Sequence, residues 1–187
     1  MLPGLGGSGP AHWQSRWEAR QPGRVRVEQA DWDAPALEDW ARALEAAVRA
    51  HLRVVLVAHS LACQLVAHWA RSGAVERVAA ALLVSPPDVE RADLPAAVRP
   101  FAPIPRERLP FRSWVVASSD DPYSSPERTR AMAEGWGARL IEAGPLGHIN
   151  TDSGHGDWRD GEALLDAIVA CAGRRSAPEP SGLPRAG

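Results

Sequence analysis

Lysine is absent from this chain of 187 residues, and its 21 basic side chains are all arginine. We take this bias for codon preference rather than chemistry. It has one firm consequence: a phosphate-binding P-loop needs its lysine, so that use of a Gly-rich segment is excluded. Cysteine is scarce. Cys63 and Cys171 lie far apart, each within an apolar helical pattern, and read as buried small side chains in a reducing compartment rather than a disulfide framework. Net charge is nearly absent, at -2, which removes the electrostatic case for nucleic acid. No apolar run approaches the length of a membrane span. The start, "MLPGLGGSGP", lacks the charged and apolar regions of a signal peptide. No internal repeat is visible, and no set of His, Cys and acidic residues has metal-ligand spacing. A cytoplasmic protein without a metal is expected.

What is present is an alternation of apolar strands and amphipathic helices. The length fits one domain over 1–173. "RVRVEQ" (24–29) alternates as a short strand does. "RVVLVA" (53–58), "VAAALLVS" (78–85), "SWVVASS" (113–119) and "ARLIEA" (138–143) read as further strands. The continuous apolar runs among them suit strands covered on both faces. Helical spacing runs through 34–51, 61–73, 125–136 and 161–173. Strands alternating with helices predict an α/β fold, a parallel sheet sandwiched by helices. Residues 86–110 carry seven prolines and no clear period, so an irregular excursion or small lid is expected there. Residues 174–187, "RRSAPEPSGLPRAG", have the composition of a disordered tail.

Ligands of a parallel sheet meet the carboxyl ends of its strands. Ser60 stands at such an end, in "VAHSLA", with a helix starting directly after it. That is the place of a nucleophile elbow, usually Gly-x-Ser-x-Gly. Here Ala58 and Ala62 replace the glycines. The plainer alternative is a serine that caps the helix. A serine nucleophile needs a base, and the base an orienting acid. The α/β-hydrolase order is Ser, acid, His, and the sequence offers it. Asp120 and Asp121 follow one strand and His148 follows the next, after Gly147. The two aspartates also suit a turn before Pro122. Among the other histidines, His51 and His68 fall in helices. His59 precedes the serine and is expected to face away from it. His12 and His155 lie in loops and remain competitors for the base. Backbone N–H donors for an oxyanion are expected at Leu61, after the serine, and at Leu5, in the Gly-rich turn. Gly4, Trp13 and His59 are candidate pocket residues, and Trp17 and the 86–110 excursion add possible walls.

The stretches "PGLGGSGPAHWQSRWE", "LVAHSLACQLVAHWA", "SPPDVE", "FAPIPR", "VVASSDDPY" and "GHINTDSGHGDW" carry a resemblance over residues 2–173. The chain resembles the small serine hydrolases related to retinoblastoma-binding protein 9, a compact branch of the α/β-hydrolases without a large cap domain. The resemblance implies Ser60 as nucleophile, Asp120 as acid and His148 as base. It implies an esterase-type enzyme acting on a small acyl substrate, with no cofactor. It also implies an interior strand before Gly4, between "RVRVEQ" and "RVVLVA". Only Met1, Leu2 and Pro3 precede Gly4, whereas strands usually have about five or six residues, so a natural start further upstream is expected. Some members of this family are known for protein binding. A protein-interaction module on a catalytically silent hydrolase scaffold is therefore the rival expectation, although the sequence names no protein partner.

Overall fold

The computed structural model describes residues 1–173, so the expected tail over 174–187 lies outside the described residues. Four strands form the sheet: β1 (Val54–His59), β2 (Val78–Val84), β3 (Arg112–Ala117) and β4 (Arg139–Glu142). They lie side by side in chain order and every neighbouring pair is parallel. Parallel neighbours need a crossover, because the chain must return to the same end of the sheet. Helix α3 (Leu61–Trp69) joins β1 to β2 and α4 (Pro126–Trp136) joins β3 to β4. Between β2 and β3 the proline-rich excursion crosses instead. Its only helical piece is a 3-10 stretch, Ala96–Phe101.

The pleat sends alternate side chains to opposite faces. Leu56, Ala58, Ala81, Leu83 and Val115 point to one layer, where α2 (Leu37–Arg49), α3 and α4 cover them. Val57, Leu82, Val84, Trp114, Val116 and Ile141 point to the other, under α1 (Trp13–Arg20) and α5 (Arg159–Gly173). Trp40, Leu44 and Val48 recur every fourth residue and supply the buried stripe of α2. Ser125 caps α4 by accepting the Arg128 N–H, and Pro126 follows at the first helical position. Gly137 ends that helix in the left-handed conformation, with φ 63°.

The expected strand at 24–29 does not form. Val27 N–H donates to the Met1 carbonyl at 2.9 Å, and the Met1 amino group donates to the Val25 carbonyl at 2.6 Å. On its other side the same N-terminal segment pairs with β1. Leu2 N–H donates to the Val57 carbonyl at 2.8 Å, and His59 N–H to the Leu2 carbonyl at 3.1 Å. The N-terminal segment thus lies between 24–29 and β1, as the resemblance implies, but its only main-chain bonds to 24–29 among the described residues are the two of Met1, and Pro3 has no N–H to extend them. A helix not foreseen in the sequence, α1, closes this corner. Its buried Gln14 donates from Nε2 to the Leu2 and Val57 carbonyls at 3.1 and 3.2 Å.

Candidate active site

Between β1 and α3 the backbone turns a tight corner at Ser60, which has φ 56° and ψ -128°. A positive φ is uncommon for a residue with a side chain and persists only where the surroundings impose it. The corner is held on both sides. Ser60 N–H donates to the Val84 carbonyl at 2.9 Å, and the Ser60 carbonyl accepts the Cys63 N–H at 2.9 Å. The strained angle falls on the serine itself, and neither Ala58 nor Ala62 has a positive φ. Alanine at these fully buried positions therefore meets the need for small side chains without a backbone cost. The Gly-rich turn packs directly on the corner. A Cβ at Gly4 would stand 2.8 Å from Ser60 Cβ and 2.9 Å from the His59 carbonyl oxygen. Gly4→Ala is expected to lower stability by about 1 to 3 kcal/mol through overpacking and to displace Ser60. Denaturant melts and esterase rates of the variant check both effects.

His148 reaches Ser60 from the loop after β4. Its Nε2 lies 2.8 Å from Ser60 Oγ, and its Nδ1 lies 2.9 and 3.0 Å from the two oxygens of Asp121. A carboxylate can only accept, so Nδ1 carries the proton and Nε2 is free to accept the serine hydroxyl proton. The Asp121 side chain is 3 % exposed. The His148 loop is pinned by Trp13, whose Nε1–H donates to the Ile149 carbonyl at 2.8 Å. It is pinned again by His59, whose Nε2–H donates to the His148 carbonyl at 2.9 Å. Tyr123 stands edge-to-face on the His148 ring at 4.5 Å, and its N–H donates to Asp121 Oδ1 at 2.9 Å.

Above Ser60 lies a cavity of about 330 Å³, at the small end of ligand pockets. Leu5, Leu61, Pro87, Leu94 and Val98 make its apolar wall, so the proline-rich excursion does form one side. Ser8, His12, Asn150, Thr151 and Asp152 make its polar wall. The N–H groups of Leu5 and Leu61 have no hydrogen-bond acceptor among the described residues. Leu61 is the first residue of α3, where the N–H groups lack intrahelical partners. A larger cleft of about 700 Å³ lies at the opposite, amino-terminal ends of β3 and β4, beside Arg108, Arg112 and Arg139. It contains none of these groups.

Residues 1–167 match the family model described as serine hydrolase. The chain belongs to this serine hydrolase family. It is similar to a YdeN-like hydrolase of Pectobacterium atrosepticum, at 30 % identity and a TM-score of 0.76 over 92 % of this chain and 87 % of that one. The ydeN gene product of B. subtilis is similar at 19 % identity and a TM-score of 0.70, over 90 % of this chain and 96 % of that one. A thermophilic esterase of Thermogutta terrifontis shares the fold at 15 % identity, a TM-score of 0.61 and coverage of 90 % and 88 %. No curated protein matches the chain.

In this hydrolase the carboxylate paired with His148 is Asp121, which corrects the expectation of Asp120. Consecutive residues of the turn point in different directions, and Asp120 is directed elsewhere. Its Oδ1 accepts the Ser118 hydroxyl at 2.8 Å and the Gly147 N–H at 2.7 Å. These bonds hold its carboxyl below the usual carboxylate range, the Ser118 hydroxyl contributing most. Asp120 thus ties the end of β3 to the loop that carries the histidine. Trp13 is also corrected. It lies fully buried among Trp17 and Trp158 and supports the His148 loop from below rather than lining the cavity. His59 does not face away from the site: it lines the cavity and packs against His148 at 4.9 Å between ring centroids.

The sequence singles out neither Tyr123 nor Asp152. Both stand close to a recognised residue, two after Asp121 and four after His148, and that proximity is the only signal available. His12, an open competitor for the base, has another task. Its Nδ1 accepts the Gln14 N–H at 3.2 Å and caps α1. Burial pushes its pKa down to about 4, with the Arg26 charge acting in the same direction. His59 is pushed well below its ordinary value, first by burial and then by the charge of His148. No helix of the described residues is long and apolar enough to cross a membrane.

Proposed function

We propose that this hydrolase cleaves esters of small acyl groups through a Ser60–His148–Asp121 triad. The observation that carries the reading is His148, 2.8 Å from the Ser60 hydroxyl on one nitrogen and paired with a buried carboxylate on the other. Ser60 Oγ attacks the acyl carbonyl and forms the Oγ–C bond while His148 Nε2 takes its proton. The tetrahedral oxyanion is met by the Leu5 and Leu61 N–H groups, which are free of other acceptors. The C–O bond to the alcohol then breaks, and His148 returns the proton to the departing oxygen. A water molecule, deprotonated by the same nitrogen, attacks the acyl-enzyme and regenerates Ser60. Asp121 holds the imidazole in the required tautomer and stabilises the imidazolium. Every group is supplied by the chain, and no cofactor enters these steps. A cytoplasmic place of action belongs to the same reading, since Cys63 and Cys171 are both buried and are not joined in a disulfide.

The test is intact-mass spectrometry after exposure to a fluorophosphonate. A single adduct mapped to Ser60 supports the reading. No adduct on folded protein overturns it in favour of a catalytically silent scaffold. A companion experiment concerns the base. His148→Ala is expected to lose activity as severely as removal of the serine hydroxyl, and the double variant to be hardly worse than either single one, because triad members act as a unit. Additive losses would show that the two residues act separately.

A further inference from the structure

The chain is rich in arginine, yet among the described residues no arginine lines the cavity above Ser60. Its polar wall contains one carboxylate, Asp152, four residues after His148 and exposed at the rim. That carboxylate has no hydrogen-bond or ion-pair partner among the described residues. Asp121 is paired with the Nδ1 of His148. Two arginines that reach main-chain carbonyls beside the cavity are engaged by acids. Arg26 donates to the Ser8 carbonyl at 3.2 Å but is paired with Glu18 at 3.1 Å. Arg91 donates to the Pro122 carbonyl at 2.8 Å and is paired with Asp93.

The two histidines beside the base add no charge. His12 Nδ1 must keep its lone pair to accept the Gln14 N–H, so a proton there would remove the cap of α1. His59 is enclosed between the rings of His12 and His148, at 4.8 and 4.9 Å, with its Nε2–H already donated to the His148 carbonyl. A substrate therefore meets an apolar wall on one side and, on the other, neutral polar groups with one unneutralised negative charge.

We infer that this cavity selects its ester by charge, accepting neutral or cationic acyl esters and discriminating against esters that carry a carboxylate or phosphate near the scissile bond. The inference rests on the hydrolase reading above. An anionic group brought to this rim loses hydration and finds no guanidinium to replace it. A cationic group finds Asp152.

The experiment uses the full chain and two series of esters. In each, one end of the substrate is a tert-butyl, a trimethylammonium or a carboxylate group, placed on the acyl side in one series and on the alcohol side in the other. The expected result is a kcat/KM at least roughly tenfold lower for the carboxylate ester than for the tert-butyl ester in at least one series, with the cationic ester equal to or above the neutral one. One exposed charge at contact distance acts on about this scale, and salt screens it. Asp152→Asn should lower the cationic-to-anionic ratio by roughly threefold or more, and Asp152→Arg should invert it. Carboxylate esters turned over as fast as neutral ones in both series overturn the inference, as does a ratio that Asp152→Arg leaves unmoved. Fluorophosphonate titration of the same samples separates the two failures. Labelled enzyme without discrimination removes charge selection alone, whereas unlabelled enzyme removes the hydrolase reading and this inference with it.

Discussion

Ser60→Ala is expected to abolish fluorophosphonate labelling and to cut kcat by roughly 10³- to 10⁶-fold, with the fold intact. The hydroxyl is the only atom removed, and its partner is His148 Nε2 at 2.8 Å. The corner itself depends on main-chain bonds from Ser60 to Val84 and Cys63, which alanine keeps. Alanine shares the steric difficulty of serine at φ 56°, so a change in melting temperature of no more than a few degrees is expected. Circular dichroism, a thermal melt and a steady-state assay on one pure sample check the three points together. Esterase activity that survives in that sample would reject Ser60 as the nucleophile.

Asp121→Asn is expected to lower kcat by roughly 10⁴-fold if the triad proteases are a guide. An amide at this position can turn its NH₂ toward His148 Nδ1 and stabilise the tautomer that has its proton on Nε2. That nitrogen then cannot accept the proton of Ser60. Asp120→Asn should act differently. Its Oδ1 accepts from Ser118 and from Gly147 N–H, and an amide oxygen can still accept both bonds. A loss of activity many times smaller than that of Asp121→Asn is expected. The kcat values of the two single variants decide the matter, and the reverse ranking would return the acid to Asp120.

The two aspartates show where the sequence is legible and where it is not. Strand ends can be read from apolar runs, so Ser60, the Asp120–Asp121 pair and His148 are visible as groups on one edge of a parallel sheet. Which aspartate faces the histidine depends on the path of one turn, and adjacent identical residues give no pattern to read. The missing helix has a similar cause. Helix α1 spans only Trp13–Arg20, and its buried side chains are Trp13, Gln14 and Trp17. Two tryptophans four apart do not make a period, and Gln14 is buried for its hydrogen bonds to Leu2 and Val57, not for its hydropathy. Residues 24–29 fail in the opposite way. Their alternation is real, but a strand requires a partner ladder, and here the bonds to the neighbouring segment are the two made by Met1.

The hydrogen bond from Trp13 to the Ile149 carbonyl also gives the protein an optical reporter. The indole sits one residue from His148 along that bond, and Ile149 holds a positive φ of 47°. Any adjustment of the histidine loop during acyl transfer alters the surroundings of a fluorophore already in place. If Ser60 is acylated as proposed, a substrate that absorbs no light is expected to change the emission of the protein itself. Trp13→Phe removes that part of the signal and leaves the emission of the other tryptophans as the background against which it is recognised.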